Sequence, residues 1–219
     1  MVTAETFVTE LDAKNRASIE RLIGSLVSGI AKESFEVPDA MRLVLKASIE
    51  AAEVAALWMA DCDDLELKLL LAEQCGDGAR QYRRICARLA ALSADVAGYD
   101  PRHGGYSKVF AFLRSLQTSE ERSSAGHVTA KALSMARLTT LASFCEEKGD
   151  PETARLFRDD LCVEERRYYE EGKRILGTWA SAEEGQARAR RAAYRTLELA
   201  ADMHEPMQLR KILLKRRPV

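Results

Sequence analysis

Two carboxylates and a phenol are the side chains whose placement in this sequence is best suited to chemistry. Glu50 shares a helical face with Leu43, Ala47, Val54 and Leu57, and Glu165 shares one with Phe157, Leu161, Ile175 and Trp179. A carboxylate drawn into such a face needs a cation, a metal or a proton, because burying it unpaired is very costly. Tyr168 follows Glu165 by three residues, so one helical turn brings the two side chains together, and a metal-free acid/base role for the pair is a candidate chemistry.

The segment around them occurs twice. Cys75-Gly-Asp-Gly-Ala-Arg-Gln-Tyr82 aligns with Cys162-Val-Glu-Glu-Arg-Arg-Tyr-Tyr169, pairing Asp77 with Glu164, Gly78 with Glu165, Arg80 with Arg167 and Gln81 with Tyr168. Cysteine, acid, arginine and tyrosine matching at one offset exceeds what a shared helical period produces. The same offset carries Glu50 onto Arg137, which lies on an apolar face with Ala130, Leu133, Thr140 and Phe144; a slip of register puts Lys131 or Ala130 there instead. The expected pocket is therefore Glu50, Gly78, Gln81, Arg137, Glu165 and Tyr168. Arg137 would neutralise the two carboxylates through charge-assisted hydrogen bonds.

Helices must position these residues. Apolar side chains recur at intervals of three and four almost throughout, and no alternating strand appears. A first amphipathic stretch, about Ala4 to Lys32, reads as one or two helices, weakened by Gly24 and Gly29. Pro38-Asp39 opens a helix to about Asp61, and Asp63 or Asp64 caps the next, which runs to about Asp95. The loop Gly98 to Gly105 and a brief apolar segment, Tyr106 to Leu116, follow. Thr118 and Glu121 form a capping-box pattern for a helix reaching Lys148, and Asp150-Pro151 starts another to about Trp179. A last helix spans about Ala182 to Met203, ahead of a basic, apolar tail. The pattern is two long antiparallel pairs joined by the longest connection.

On these residues the chain resembles the ferritin-like di-iron carboxylate proteins. In that family each helix pair carries an acid-Glu-x-Arg-His segment whose Glu and His point at one metal pair. Gly78-x-x-Gln81 and Glu165-x-x-Tyr168 stand at those places, and Gly149-Asp-Pro-Glu-Thr-Ala-Arg-Leu156 is similar to the family's entry to the last helix. The resemblance covers roughly Pro38 to Trp179. It implies an all-α, ferritin-like four-helix bundle (38–179) within one domain (1–219), with covering helices at 1–33 and a helix and basic tail at 182–219. It also exposes a departure: Gln81 and Tyr168 replace both histidines, and Gly78 replaces a glutamate. None of His103, His127 and His204 has a Glu three residues before it. The expectation is no metal; if iron binds, Glu50, Glu165 and Tyr168 are its ligands.

Two functions follow from that reading. One is a protein that has lost its di-iron site and acts by binding, as a non-catalytic subunit beside another ferritin-like subunit of an oxygenase-type complex, as a homodimer, or as a binder of a small organic ligand. The other is an enzyme in the same cavity, either an oxidoreductase or oxygenase with atypical ligands, or a metal-free acid/base catalyst using Glu165 and Tyr168. Composition narrows the partners. The 33 basic and 34 acidic side chains leave no net field to attract nucleic acid, and no apolar run approaches the roughly 20 residues of a membrane span. The first residues lack a signal peptide, and 5 cysteines without CxxC spacing fit reduced thiols in a cytoplasm. Arg84, Arg88 and Arg167 read as parts of solvated faces, His127 as a helix-surface residue, and Lys215-Arg-Arg217 as a tail.

Overall fold

The computed structural model describes residues 2–32, 35–94, 100–101 and 105–203. The histidines His103 and His204, the inner part of the loop after Asp95 and the basic tail lie outside them. Among the described residues the chain is entirely helical. Helix α1 (Ala4–Lys32) is a single helix. Helices α2 (Val37–Ala60) and α3 (Leu65–Ala91) follow, then the short α4 (Lys108–Ser115). Helix α5 spans 119–147 and contains a π-helical stretch, Ser123–Ala130. Helix α6 spans 151–179 with a second one, Leu156–Leu161. Helix α7 is Glu183–Met203.

Local chemistry sets the boundaries. The Asp39 carboxylate accepts from the Glu36 N–H (3.1 Å) beside a first-turn proline. Asp64 accepts from Leu67 N–H at 2.7 Å, so α2 and α3 are separated only by residues 61–64 and must run antiparallel. Thr118 and Glu121 form the reciprocal capping box. Asp150 caps α6 through Thr153, and Gly149, with φ of 80°, supplies the left-handed turn between α5 and α6. Helix α3 stops at Ala91, short of Asp95, where Ser93 takes a positive φ of 53°.

The hairpins α2–α3 and α5–α6 face each other. At one end Met41, Leu45, Ile85, Leu89, Leu141 and Phe157 fill the space between them. At the other end Val54, Trp58, Leu71, Phe110 and Ile175 do so. The terminal helices lie chiefly against the second hairpin: Phe7 and Leu11 of α1 and Ala189 and Ala193 of α7 pack on Val128, Tyr169 and Leu176 of α5–α6. Inside that seam the Asn15 amide donates to Thr129 Oγ1 at 2.8 Å. Two residues expected on inward faces are not buried, for Leu57 is 44% and Trp179 40% exposed. No described helix is long and apolar enough to cross a membrane.

Two glycines let backbones approach. A Cβ on Gly78 would lie 2.7 Å from Ala52 Cβ and 3.2 Å from Ser48 O across α2–α3, and one on Gly172 would lie 2.2 Å from His127 Cβ across α5–α6. Gly24, within α1, has nothing inside 4 Å. Gly172→Ala should therefore destabilise the fold by about 1–3 kcal/mol through overpacking. Gly24→Ala should stabilise it by up to about 1 kcal/mol through helix propensity. Chemical denaturation midpoints of the two variants test these opposite signs.

Candidate functional site

Between the two hairpins, flanked by α4 and α7, lies a mostly apolar cavity of about 160 Å³. Leu26, Val44, Val54, Trp58, Phe110, Leu133, Leu138 and Leu161 form much of its wall. Its polar lining includes Lys46, Ser48, Glu50, Gln81, Ser107, Lys131, Arg137 and Glu165. Glu50, Gln81, Arg137 and Glu165, singled out from the sequence, thus meet in one wall. Gly78 and Tyr168 lie outside that lining.

Two buried charges of that lining are Glu165 on α6 and Lys131 on α5. Their side chains are 8% and 5% exposed, and Lys131 Nζ donates to Glu165 Oε1 at 2.9 Å. The ammonium also stands 5.1 Å from the centre of the Tyr168 ring, within cation–π range. The partner of Glu165 is therefore Lys131, the register alternative, and not Arg137. Glu50 is held separately. Ser107 N–H and Oγ–H donate to its two oxygens at 2.8 and 2.6 Å, and Lys46 Nζ lies 3.3 Å away. Lys46 donates further to the carbonyls of Pro101 (2.9 Å) and Gly105 (2.8 Å). Arg137 stands on the Glu50 side of the cavity. Desolvation pulls its guanidinium pKa down, and the Glu50 charge opposes that shift.

The repeated segments cross. Gln81 Nε2 donates to Glu164 at 2.8 Å, while Tyr168 donates its hydroxyl to Asp77, so each residue bonds the acid of the other half. Arg84 and Arg167 complete the exchange, Arg84 on Glu164 (2.8 Å) and Arg167 on Asp77 (2.8 Å). Arg88 ties α3 to the start of α6 through Asp150 (2.7 Å) and Thr153 (3.0 Å). These arginines are inter-hairpin ties and not merely members of solvated faces. Gln81 also accepts from Ser48 at 3.2 Å. Burial pushes the Tyr168 phenol up to about 12, against the pull of Arg167. A phenol so placed is a donor committed to Asp77, turned away from the cavity.

His127 is 1% exposed, which corrects its expected place on a helix surface. It sits in the π-helical stretch of α5, where the widened turn changes which face a residue occupies. Gln74 spends its amide N–H on Ala51 O (3.2 Å), so its Oε1 accepts from His127 Nε2 (3.2 Å). Burial, assisted by the Lys131 charge, lowers the His127 pKa to about 3.

These side chains do not fit a pair of irons. Gly78 has no donor and no room for one. The Lys131 ammonium holds the Glu165 carboxylate, Ser107 holds that of Glu50, and the Tyr168 hydroxyl serves Asp77. Among the described residues, no group of three or more His, Cys, Asp and Glu is arranged to hold a metal ion. Sequence reasoning missed Lys46, although its spacing of four from Glu50 signals the pair, and Ser107, whose position before an apolar helical turn marks a cap. Comparisons of the chain with protein-family models, curated proteins and solved structures give no match.

Two tests follow from this arrangement. Lys131→Met leaves a buried carboxylate unpaired and should cost about 3–5 kcal/mol, whereas Lys131→Met/Glu165→Met removes both charges and should recover most of that loss. Denaturant titration of the two variants distinguishes a coupled pair from independent residues. For His127 the unfolded chain gains a proton as pH falls below its ordinary 6.5 and the folded chain does not until about 3. The stability this neutral imidazole contributes is complete above that upper value and drains toward the lower, at about 1.4 kcal/mol per pH unit. The denaturation midpoint of the wild type should fall more steeply with acid than that of His127→Gln; parallel slopes would contradict it.

Proposed function

We propose that the chain is a ferritin-like bundle whose metal centre has been replaced by a binding pocket for a small, mainly apolar organic molecule with one hydrogen-bond acceptor. The crossed pairs support the first half of this reading. A histidine that ligates a metal hands its second ring N–H to a carboxylate, which fixes the ring. Gln81 and Tyr168 stand at the two histidine places of the resemblance, and each donates to an acid of the opposite half. That is the supporting shell of a ligand pair, kept while the ligands themselves have changed.

The cavity carries the second half. Apolar voids of about 150 Å³ admit benzene, so the volume here suits a ligand of about six to ten non-hydrogen atoms. Shape and apolar lining supply affinity, and few polar groups fix orientation. Lys131 is the group best placed to do so. Among the described residues its amine has one hydrogen-bond acceptor, Glu165, and leaves donors to offer within the cavity. The partner-subunit reading rests on the sequence resemblance alone.

Benzene and acetophenone are suitable probes, read by calorimetry or by ligand-detected NMR. Both should bind, and acetophenone, whose carbonyl can accept from Lys131, should bind more tightly. Ala51, in the cavity wall, offers the control. Ala51→Leu should fill the void, raise stability by about 0.5–2 kcal/mol and abolish binding of both probes. Undiminished binding to that variant would sink the cavity reading.

A further inference from the structure

We infer that Lys131 captures small aldehydes or ketones covalently, forming an imine inside the cavity; the inference rests on the cavity being a ligand site. Three lysine amines differ in their freedom to react. Lys46 also reaches the cavity, but the carbonyls of Pro101 and Gly105 and the Glu50 carboxylate occupy its three N–H donors. Lys108 pairs with Asp202 on the surface, its side chain 65% exposed, where water would hydrolyse an imine. Lys131 has a side chain 5% exposed, lies in an apolar wall, and has one carboxylate partner among the described residues.

That partner is what the reaction needs. Glu165 lies 2.9 Å from the nitrogen, within reach for proton transfer in both directions. Glu165 takes one proton from the ammonium, and the freed lone pair attacks the carbonyl carbon, opening the C=O π bond. The nitrogen passes a second proton to the alkoxide, giving a neutral carbinolamine. Glu165 then returns its proton to the carbinolamine hydroxyl, the C–O bond breaks and water leaves. The product is a protonated imine, C=N⁺–H, opposite an ionised Glu165. Net, one ammonium and one carbonyl give one iminium and one water, with no oxidant or reductant required.

The charge balance decides in favour of this site. A buried iminium, like the ammonium it replaces, is costly without a counter-charge. Here the cation persists through the reaction, still opposite Glu165 and beside the face of the Tyr168 ring at 5.1 Å. The iminium inherits the environment already built for the ammonium. The apolar wall shields it from the water that would reverse the step.

Treatment of the intact protein with benzaldehyde and cyanoborohydride, followed by peptide mapping, tests the inference. Cyanoborohydride reduces any imine to a stable secondary amine. Lys131 should carry the adduct, on the order of 100-fold faster than surface lysines, the scale of positioned acid–base catalysis. Glu165→Asp, which keeps the charge but withdraws the carboxylate by one methylene, should slow labelling of Lys131 alone. Benzene binding is measured in parallel. If benzene binds and Lys131 stays unmodified, or if adducts scatter over lysines according to exposure, imine capture is overturned and the cavity reading stands. If neither benzene nor benzaldehyde engages the protein, both readings fall.

Discussion

The placement of Glu165 in an apolar bundle constrains much of what surrounds it. A carboxylate at 8% exposure is tolerated when a cation meets it directly, and Lys131 does so from the facing helix. Ion pairs of this depth seldom add stability relative to apolar residues of the same volume, since desolvating both charges offsets their attraction. The pair therefore calls for an explanation other than packing. Glu50 solves the same problem differently: the N-terminus of α4 closes over it, with Ser107 both capping that helix and donating to the carboxylate. Helix α4 is thus tied to α2 by a charge that the core could not otherwise hold.

Around these charges the two hairpins are joined by exchanged contacts. Asp77 and Glu164 each receive a hydrogen bond from the other's half, so each hairpin completes the polar contacts of its partner. Such mutual satisfaction fixes the register of one pair against the other, as a fully bonded polar network does. Glycine at 78 and 172 brings the helices close within each pair. Asp77 and Glu164 carry the ties between the hairpins, and Gly78 and Gly172 set the close packing within each.

The helices were legible because their ends carry chemistry of their own: Asp64, Thr118 and Asp150 cap where their side chains dictate. The pocket was legible in part, through the repeat and the inward faces of Glu50 and Glu165. What failed was the register of α5. An α-helix turns about 100° per residue, so a π-helical stretch that takes in an extra residue rotates everything beyond it by about that much. Ser123–Ala130 precedes both Lys131 and Arg137 and turns them together relative to the start of α5; the cation opposite Glu165 is Lys131, and Arg137 feels the Glu50 charge. The same stretch holds His127 in the core. No local residue preference announces a π turn, because its hydrogen bonds depend on what packs against it. Long-range closure is the other gap: Ser107 meets Glu50 only after the chain has folded back across residues far apart in sequence.

Two costs coincide at one place. A pocket of about 160 Å³ in the bundle leaves the apolar atoms of its wall without packing partners on that side. Beside it stands an ion pair that apolar residues could replace at little loss. Elsewhere the bundle is closely packed, to the point where glycine is required for helices to touch. A chain selected only for a stable core would enlarge Ala47 or Ala51 and neutralise the pair. That both features sit in the same wall, with the amine of Lys131 facing the space between them, marks the cavity as the part of the fold shaped by something other than folding.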